Sequence, residues 1–381
     1  MKKITLLLTM IVLLLASCHK DEPVPASGHA VVLYFPWADN LYSAILENIT
    51  DIKEAIVANP SDTRVIMILA TNSAGGRMSE LTYENGSCNE KVLKEYTAWS
   101  FSDKDNIIRM FNDVADYANA STYSMIIGAH GSGWLPKESR PNMYKAYGGT
   151  TTATKTNIET LDSAIVKSGI RHLEYLCFDD CYMANIETAY CLRNVTDHLI
   201  ASTSEIMSYG LPYSDIWTCI SSATPDYDGI VSGFYTFYSS YRTPYGALSV
   251  TDCRQMDYAA TAMKELNTLM AKYGLQPTDF TPQILDGFAY TVFFDMKSYT
   301  DLVLQALQEL GVDTSALAIN NLYPTVVTAH CCTPYLYSEY RTTLGKTFPV
   351  SNNCGLTISD PTTNNQAVPY MENTAWYNAT H

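Results

Sequence analysis

Tyr123–Trp134 (YSMIIGAHGSGW) and Leu173–Met183 (LEYLCFDDCYM) decide how this chain is read. Each opens as a continuous apolar run of strand length and ends in a reactive side chain, His130 in one and Cys181 in the other. An unbroken apolar run suits a strand covered on both faces, which is the habit of parallel sheets. The neighbouring sequence repeats the pattern. Ala30–Pro36 (AVVLYFP), Arg64–Leu69 (RVIMIL) and His198–Thr203 (HLIAST) read as further strands. Between them Tyr42–Ala58 and Asp103–Asn119 carry apolar residues at helical spacing, among them Ile45, Ile49 and Ile52, then Ile107, Phe111 and Val114. Thr156–Glu159 fits a capping box that would open a helix to about Ser168, and a further helix is expected from near Cys181 to Asn194. Asn85-Gly86 after Met78–Glu84 marks a hairpin. Strands alternating with helices predict an α/β fold with a mostly parallel central sheet between helical layers.

The chain divides by composition. Residues 1–18 carry Lys2 and Lys3, an apolar run from Ile4 to Leu15, then Ala16-Ser17-Cys18. That run is too short for a mature membrane span, and small residues before a cysteine suit a lipoprotein signal peptidase, so Cys18 is the expected lipidation site. Residues 19–29 read as a tether; His19-Lys20-Asp21-Glu22 is similar to the surface-export signal of Bacteroidetes lipoproteins. The expected location is the outer membrane or cell surface. Residues 30–220 form the expected catalytic unit. Residues 221–381 read as an α/β extension packed on it, with helices at Asp257–Tyr273 and Met296–Leu310 and short strands near Ala289–Phe294, Thr325–Ala329 and Leu356–Ser359. A net charge of −15 without a basic cluster argues against nucleic acid as a partner. Of the ten cysteines, Cys18 is assigned to the lipid and the other nine show no CxxC pair, so no zinc module is expected. His330-Cys331-Cys332 does not suit a metal, because adjacent strand residues point to opposite faces. An odd number of remaining cysteines leaves at least one free thiol.

In a parallel sheet, ligands bind where the carboxyl ends of neighbouring strands converge. Cys181 follows one such end, at the expected first turn of a helix, where backbone N–H groups and the helix dipole would favour a thiolate. His130 follows another, within reach as a base. The backbone N–H groups of Gly131 and Cys181 can together hold a developing oxyanion. Alone, a cysteine after a strand is more often a small buried hydrophobe, and a lone histidine is more often structural. Found together at neighbouring strand ends, they make the minimum set for acyl transfer.

His-Gly-Ser-Gly-Trp at 130–134, with Asp-x-Cys-x-Met-x-x-x-Glu at 179–187, resembles the clostripain family of cysteine peptidases, which share the caspase-like fold. In caspases too the histidine precedes the cysteine by about 50 residues. Looser parts of the resemblance are Ala38-Asp39-Asn40, Ala201-Ser202 with Tyr209-Gly210, Gly355-Leu356-Thr357-Ile358, and Trp376. The resemblance implies a caspase-like α/β/α sandwich and a Cys181–His130 dyad with Gly131 in the oxyanion hole. It also implies Asp179 in a pocket for a basic residue before the cleaved bond. As a helix N-terminal acid, Asp179 has an equally good structural reading. Glu187 is expected to be a structural ion-pair partner, and Cys177 and Cys191 core residues. One departure stands out. Relatives with strict basic preference carry a Gly-Trp-Asp-Tyr stretch where this chain has Gly210-Leu211-Pro212-Tyr213, and neither Glu205 nor Asp215 is in register to replace the acid.

Family members are commonly cut between histidine and cysteine, and the loop between His130 and Thr156 contains Lys145-Ala146, a basic–small pair expected to be an autoprocessing site. Polypeptides are the expected substrates and a monomer the expected state. No cofactor is expected from the sequence, and the absence of a DxDxDG-like loop leaves dependence on calcium open. Two rival readings are a catalytically inactive surface-anchored binding protein on the same scaffold, and a serine hydrolase using Ser132. The second fails on spacing, since Gly131-Ser132-Gly133 is not a nucleophile elbow.

Overall fold

A computed structural model describes residues 27–137, 147–341 and 345–381. Cys18, the leader and tether up to residue 26, and Lys145-Ala146 lie outside the described residues.

Nine strands build one sheet: β1 Ser27–Phe35, β2 Arg64–Asn72, β3 Gly75–Glu84, β4 Ser87–Thr97, β5 Ala120–Gly128, β6 Leu173–Asp179, β7 Thr196–Ala201, β8 Ala247–Asp252 and β9 Val327–Cys332. Their order across the sheet is β9-β8-β7-β6-β5-β1-β2-β3-β4. The central five, β7-β6-β5-β1-β2, are parallel; two antiparallel strands extend each edge. The Asn85-Gly86 turn joins β3 to β4, with Asn85 and Gly86 both at positive φ as a tight hairpin requires. Residues beyond 220 supply β8 and β9, so one sheet runs through both halves of the chain.

The sheet is covered on both faces, which is why its central strands carry no polar alternation. In β1, Ala30, Val32 and Tyr34 face one helical layer, while Val31, Leu33 and Phe35 face the other. The first layer contains α2 (Lys104–Ala118), α3 (Ile158–Lys167), α4 (Ile186–Leu192), α7 (Met256–Tyr273) and α8 (Met296–Glu309), contributing Phe111, Leu161, Ala189, Met263 and Val303. The second contains α1 (Tyr42–Ala58), α5 (Tyr213–Ile220) and α6 (Tyr227–Ser240), contributing Ile52, Trp217 and Phe234. Asp103 caps α2 by accepting from the Asn106 N–H.

Two local expectations are corrected. The capping box at 156–159 does not form: Asn157 precedes α3, and its side-chain oxygen accepts from the Lys137 N–H at 2.8 Å instead. The helix expected from Cys181 starts only at Ile186, capped by the Asn185 side chain on the Thr188 N–H at 2.8 Å. Residues 182–185 stay out of the helix because other segments claim their backbone. Tyr182 and Ala184 donate to the Ser204 and Ser202 carbonyls, both at 2.9 Å, and the Thr357 N–H donates to the Ala184 carbonyl at 3.0 Å.

Candidate active site

β5 and β6 are neighbours with Gly128 in register with Asp179, so Ala129-His130-Gly131 and Asp180-Cys181 leave the sheet side by side. The two segments are tied. Asp180 is buried, and its Oδ1 accepts from the Ala129 N–H at 2.5 Å. Gly131 packs directly on the cysteine; a Cβ there would lie 2.6 Å from the Asp180 Cβ and from the Cys181 carbonyl oxygen. No residue with a side chain fits at position 131. In the sequence alone, the only hint of Asp180 is its place in the Asp179-Asp180-Cys181 run.

Cys181 sits in a tight turn rather than at a helix start, so the helix-dipole argument for a thiolate does not apply. Tyr182, next to it, is held at φ +61, a conformation that residues with a side chain rarely adopt and that clusters at functional sites. Its ring stacks on Phe293 at 5.2 Å and its hydroxyl donates to Glu205 at 2.7 Å. The Ile206 N–H lies 3.4 Å from Cys181 Sγ. Burial first, then the negative charge of Glu205, pushes the thiol's pKa well up, only partly offset by the Ile206 N–H.

His130 is half-buried, and its main chain pairs both ways with Gly148, at 3.1 and 3.0 Å. Its Nε2 lies 2.8 Å from Asn40 Oδ1. Burial pulls the imidazole's pKa down to about 4; nearby Asp39 opposes this and Lys155 adds to it. The ring is therefore a free base at neutral pH. Asp39 is itself fixed by Trp37 Nε1, the Thr150 N–H and the Thr150 hydroxyl, at 2.6, 2.6 and 2.7 Å. The Ala38-Asp39-Asn40 motif was noted in the sequence without a role; only the fold brings Asn40 to the histidine.

Asp179 ends β6 under Gly210. The residue is half-buried, yet its carboxyl is shielded: Oδ2 accepts from the Tyr213 hydroxyl at 2.9 Å, and Oδ1 is closed off from solvent with no hydrogen-bond partner among the described residues. Burial pushes its pKa up to about 6, with the Leu211 N–H and Tyr213 hydroxyl working against that rise. Gly210, at φ +78, leaves room for the carboxylate; a Cβ would fall 2.7 Å from Oδ2. At the departure from the Gly-Trp-Asp-Tyr pattern, Leu211 is wholly buried. Glu205 borders the same cleft, but its carboxylate is occupied by the Tyr182 hydroxyl, the Ser338 hydroxyl at 2.6 Å and the Glu339 N–H at 3.1 Å. Asp215 is exposed in the first turn of α5 and does not line the cleft.

Among the described residues Glu187 makes no ion pair of the kind expected. Its Oε1 accepts from the Ser359 N–H at 2.8 Å, and burial, with the charge of Asp360 next, pushes its pKa up to about 8. Cys177 is fully buried in β6, and Cys191 packs half-buried against the core. Among the described residues no three His, Cys, Asp or Glu are grouped to hold a metal ion, and no helix is long and apolar enough to cross a membrane.

His130, Gly131, Asp179, Cys181, Ile206 and Tyr209 line one cleft of about 530 Å³. A larger cleft of about 930 Å³, between α8 and residues 351–354, contains neither motif. The smaller one brings together a thiol, a free-base imidazole and a shielded carboxylate, the parts that acyl transfer on a cation-bearing substrate uses.

The profile of the clostripain family, peptidase C11, matches residues 34–373. A secreted C11 cysteine protease from Bacteroides thetaiotaomicron, iotapain, is 37% identical; the match covers 94% of this chain and 100% of that one, with a TM-score of 0.83. A clostripain from the same organism, in complex with the peptide inhibitor BTN-VLTK-AOMK, is 38% identical over 62% of this chain and 99% of that chain, with a TM-score of 0.50. An inactive zymogen C11 protease from Parabacteroides distasonis shares the fold at 23% identity, covering 94% of this chain and 99% of that one, with a TM-score of 0.78. Among curated proteins no sequence matches the chain. The match runs over nearly all of the described fold and includes both motifs: the chain belongs to the clostripain family of cysteine proteases.

Proposed function

We propose that Cys181 and His130 form a dyad that hydrolyses peptide bonds after Lys or Arg. The observation that carries the reading is the shared cleft: nucleophile, base and a shielded acid line it together, from the ends of two adjacent parallel strands. In the proposed reaction Cys181 Sγ attacks the scissile carbonyl carbon while His130 takes the thiol proton. The oxyanion is held by the N–H groups of Gly131 and Cys181. His130 then passes its proton to the leaving amine, and a thioester remains. Water, deprotonated by His130, attacks the thioester; the carboxylic acid leaves and the proton returns to sulfur.

Asp179 supports the basic preference. A carboxylate oxygen buried without a partner is costly, and an incoming cation would relieve it. The Bacteroides thetaiotaomicron clostripain was captured with an inhibitor whose sequence contains lysine, VLTK. The leader motif ending at Cys18 supports export as a lipoprotein held at the outer membrane or cell surface, and the Lys145-Ala146 pair supports self-cleavage. A monomer acting on polypeptides fits this reading.

The test is cleavage profiling of a peptide library, with Cys181→Ala as the blank. Cleavage chiefly after Lys or Arg, absent from the blank and abolished by iodoacetamide, is the expected result. A folded Cys181→Ala or His130→Ala protein cleaving at the wild-type rate would overturn it.

A further inference from the structure

The carboxyl ends of three adjacent strands meet at the cleft. β5, which delivers His130, lies between β1 and β6; β1 leads to Asn40 and β6 to Cys181. The histidine is thus flanked by the cysteine on one side and by an amide on the other. An imidazole has two nitrogens that point away from each other, and the one called Nε2 is turned to Asn40 Oδ1 at 2.8 Å. We infer that Asn40 is the positioning residue of His130, its side-chain oxygen accepting the Nε2 proton and so fixing the ring in the cleft it shares with Cys181. The inference rests on the dyad proposed above and deepens it.

The chemistry follows from what an amide can do. A carbonyl oxygen only accepts, so it selects the tautomer that carries hydrogen on Nε2. It also stays a good partner once the ring has become imidazolium, because both nitrogens are then donors. It carries no charge, so it does not hold the ring protonated at rest. Among the described residues, the charged groups that act on the ring are Asp39, from the same turn as Asn40, and Lys155, from the short strand Lys155–Thr156. Asp39 supports the imidazolium from a distance, and Lys155 opposes it.

The turn that presents Asn40 is itself built to stay put. Asp39–Leu41 is a single 3-10 turn closed by the Leu41 N–H on the Ala38 carbonyl at 3.0 Å. Asp39 is held at φ +48, and its carboxylate is gripped from both sides, by Trp37 and by Thr150. Such a conformation persists where the surroundings over-determine it, and a fixed acceptor for the ring is a reason to keep it.

The experiment is steady-state kinetics of the full chain on a peptide with lysine before the cleaved bond, from pH 3 to 9, for wild type, Asn40→Ala and Asn40→Asp. For Asn40→Ala, kcat should fall about 10- to 100-fold while KM stays within about threefold, the mark of a misplaced catalytic group. For Asn40→Asp, a carboxylate on Nε2 should shift the acid limb of the kcat/KM profile upward by about one pH unit or more. Nitrogen NMR of the histidine ring in full-length Cys181→Ala should show the Nε2–H tautomer. An Nδ1–H tautomer, or wild-type kcat and pH profile in folded Asn40→Ala, would overturn the assignment. Equal losses of stability and kcat in both variants with an unmoved acid limb would overturn it too, marking a merely structural role. Should Asn40→Ala fail to fold, Asn40→Asp, nearly the same shape, carries the test. A Cys181→Ala protein cleaving at the wild-type rate would remove the dyad itself, a failure separable from that of Asn40.

Discussion

The backbone of Ile206 closes over the sulfur of Cys181, its N–H 3.4 Å from Sγ and its carbonyl oxygen 3.8 Å from it. The thiol is held there in its protonated form, its pKa raised by burial and by Glu205. Only the thiolate reacts with alkylating agents. In the absence of substrate, iodoacetamide should therefore modify Cys181 slowly at neutral pH, at a rate that climbs about tenfold per pH unit up to pH 9. Stopped alkylation followed by peptide mass mapping measures this. A rate flat from pH 6 to 9 would mean a preformed thiolate and contradict the contact.

Asp179 offers a cation one oxygen, since Tyr213 holds the other. A lysine ammonium is a point charge that pairs end-on, whereas the arginine fork is best matched by two free oxygens. Matched peptides should be cleaved faster after Lys than after Arg, and Tyr213→Phe should narrow that ratio. Asp179→Asn should lower cleavage after both basic residues by about 10-fold or more relative to cleavage after neutral ones. Because the Asp179 pKa is pushed up to about 6, KM for lysine peptides should rise as pH falls through 6. Equal rates after Lys, Arg and glutamine would refute the pocket assignment.

Glu187 and Asp360 are buried together, with pKa values pushed up to about 8 and about 7 from ordinary values of 4.5 and 3.8. Among the described residues, both Asp360 oxygens and Glu187 Oε2 find no hydrogen-bond partner. Groups whose folded pKa is raised bind more protons folded than unfolded, so their contribution is fully present below about pH 4 and is lost as pH climbs through 7 and 8. Thermal unfolding should show stability declining between pH 6 and 9. Asp360→Asn should flatten that decline and raise Tm at pH 9 by about 3 °C or more. A wild-type Tm that rises over this range would contradict it.

N-terminal sequencing of purified wild type should reveal a second chain beginning at Ala146, while Cys181→Ala stays whole. A fully active wild type that remains one chain would show that the cut after Lys145 is not needed.

Cys18→Ser should shift the protein from the membrane fraction to soluble material or block its maturation. Mass spectrometry of wild type without a lipid on Cys18 would refute the anchor.

The parts of the fold that were legible are those in which neighbouring residues decide the outcome. Tyr42–Ala58 is helical over the span expected, because its apolar stripe lies on one face and packs on one layer. The runs before His130 and Cys181 are strands because both faces are covered. What local sequence could not show was competition from far along the chain. The helix after Cys181 is delayed because Ser202, Ser204 and Thr357 take up the backbone of residues 182–185. Strand β8, ALSVTD, went unread since half of it is polar, and those side chains find burial only between β7 and β9. The helices Tyr213–Ile220 and Tyr227–Ser240 were missed in a stretch dense with Tyr, Ser and Gly, poor helix formers that hold by packing. At the cleft, the placement of His130, Cys181 and Gly131 just past neighbouring strand ends was legible from the sequence. Asn40 and Asp180 were not, because their meaning is a distance across strands.

The Asp180–Ala129 tie and the β5–β6 pairing beneath it lie in the middle of the sheet. A chain nicked anywhere between His130 and Ile158 therefore becomes a heterodimer whose subunit boundary is the central seam of its own fold, with the imidazole on one polypeptide and the thiol on the other. Such halves do not drift apart under ordinary dilution, since parting them means exposing the interior of the molecule. Once denatured, though, they must find each other by collision. Recovery of activity after unfolding would then depend on protein concentration for the nicked form and be independent of it for the intact one.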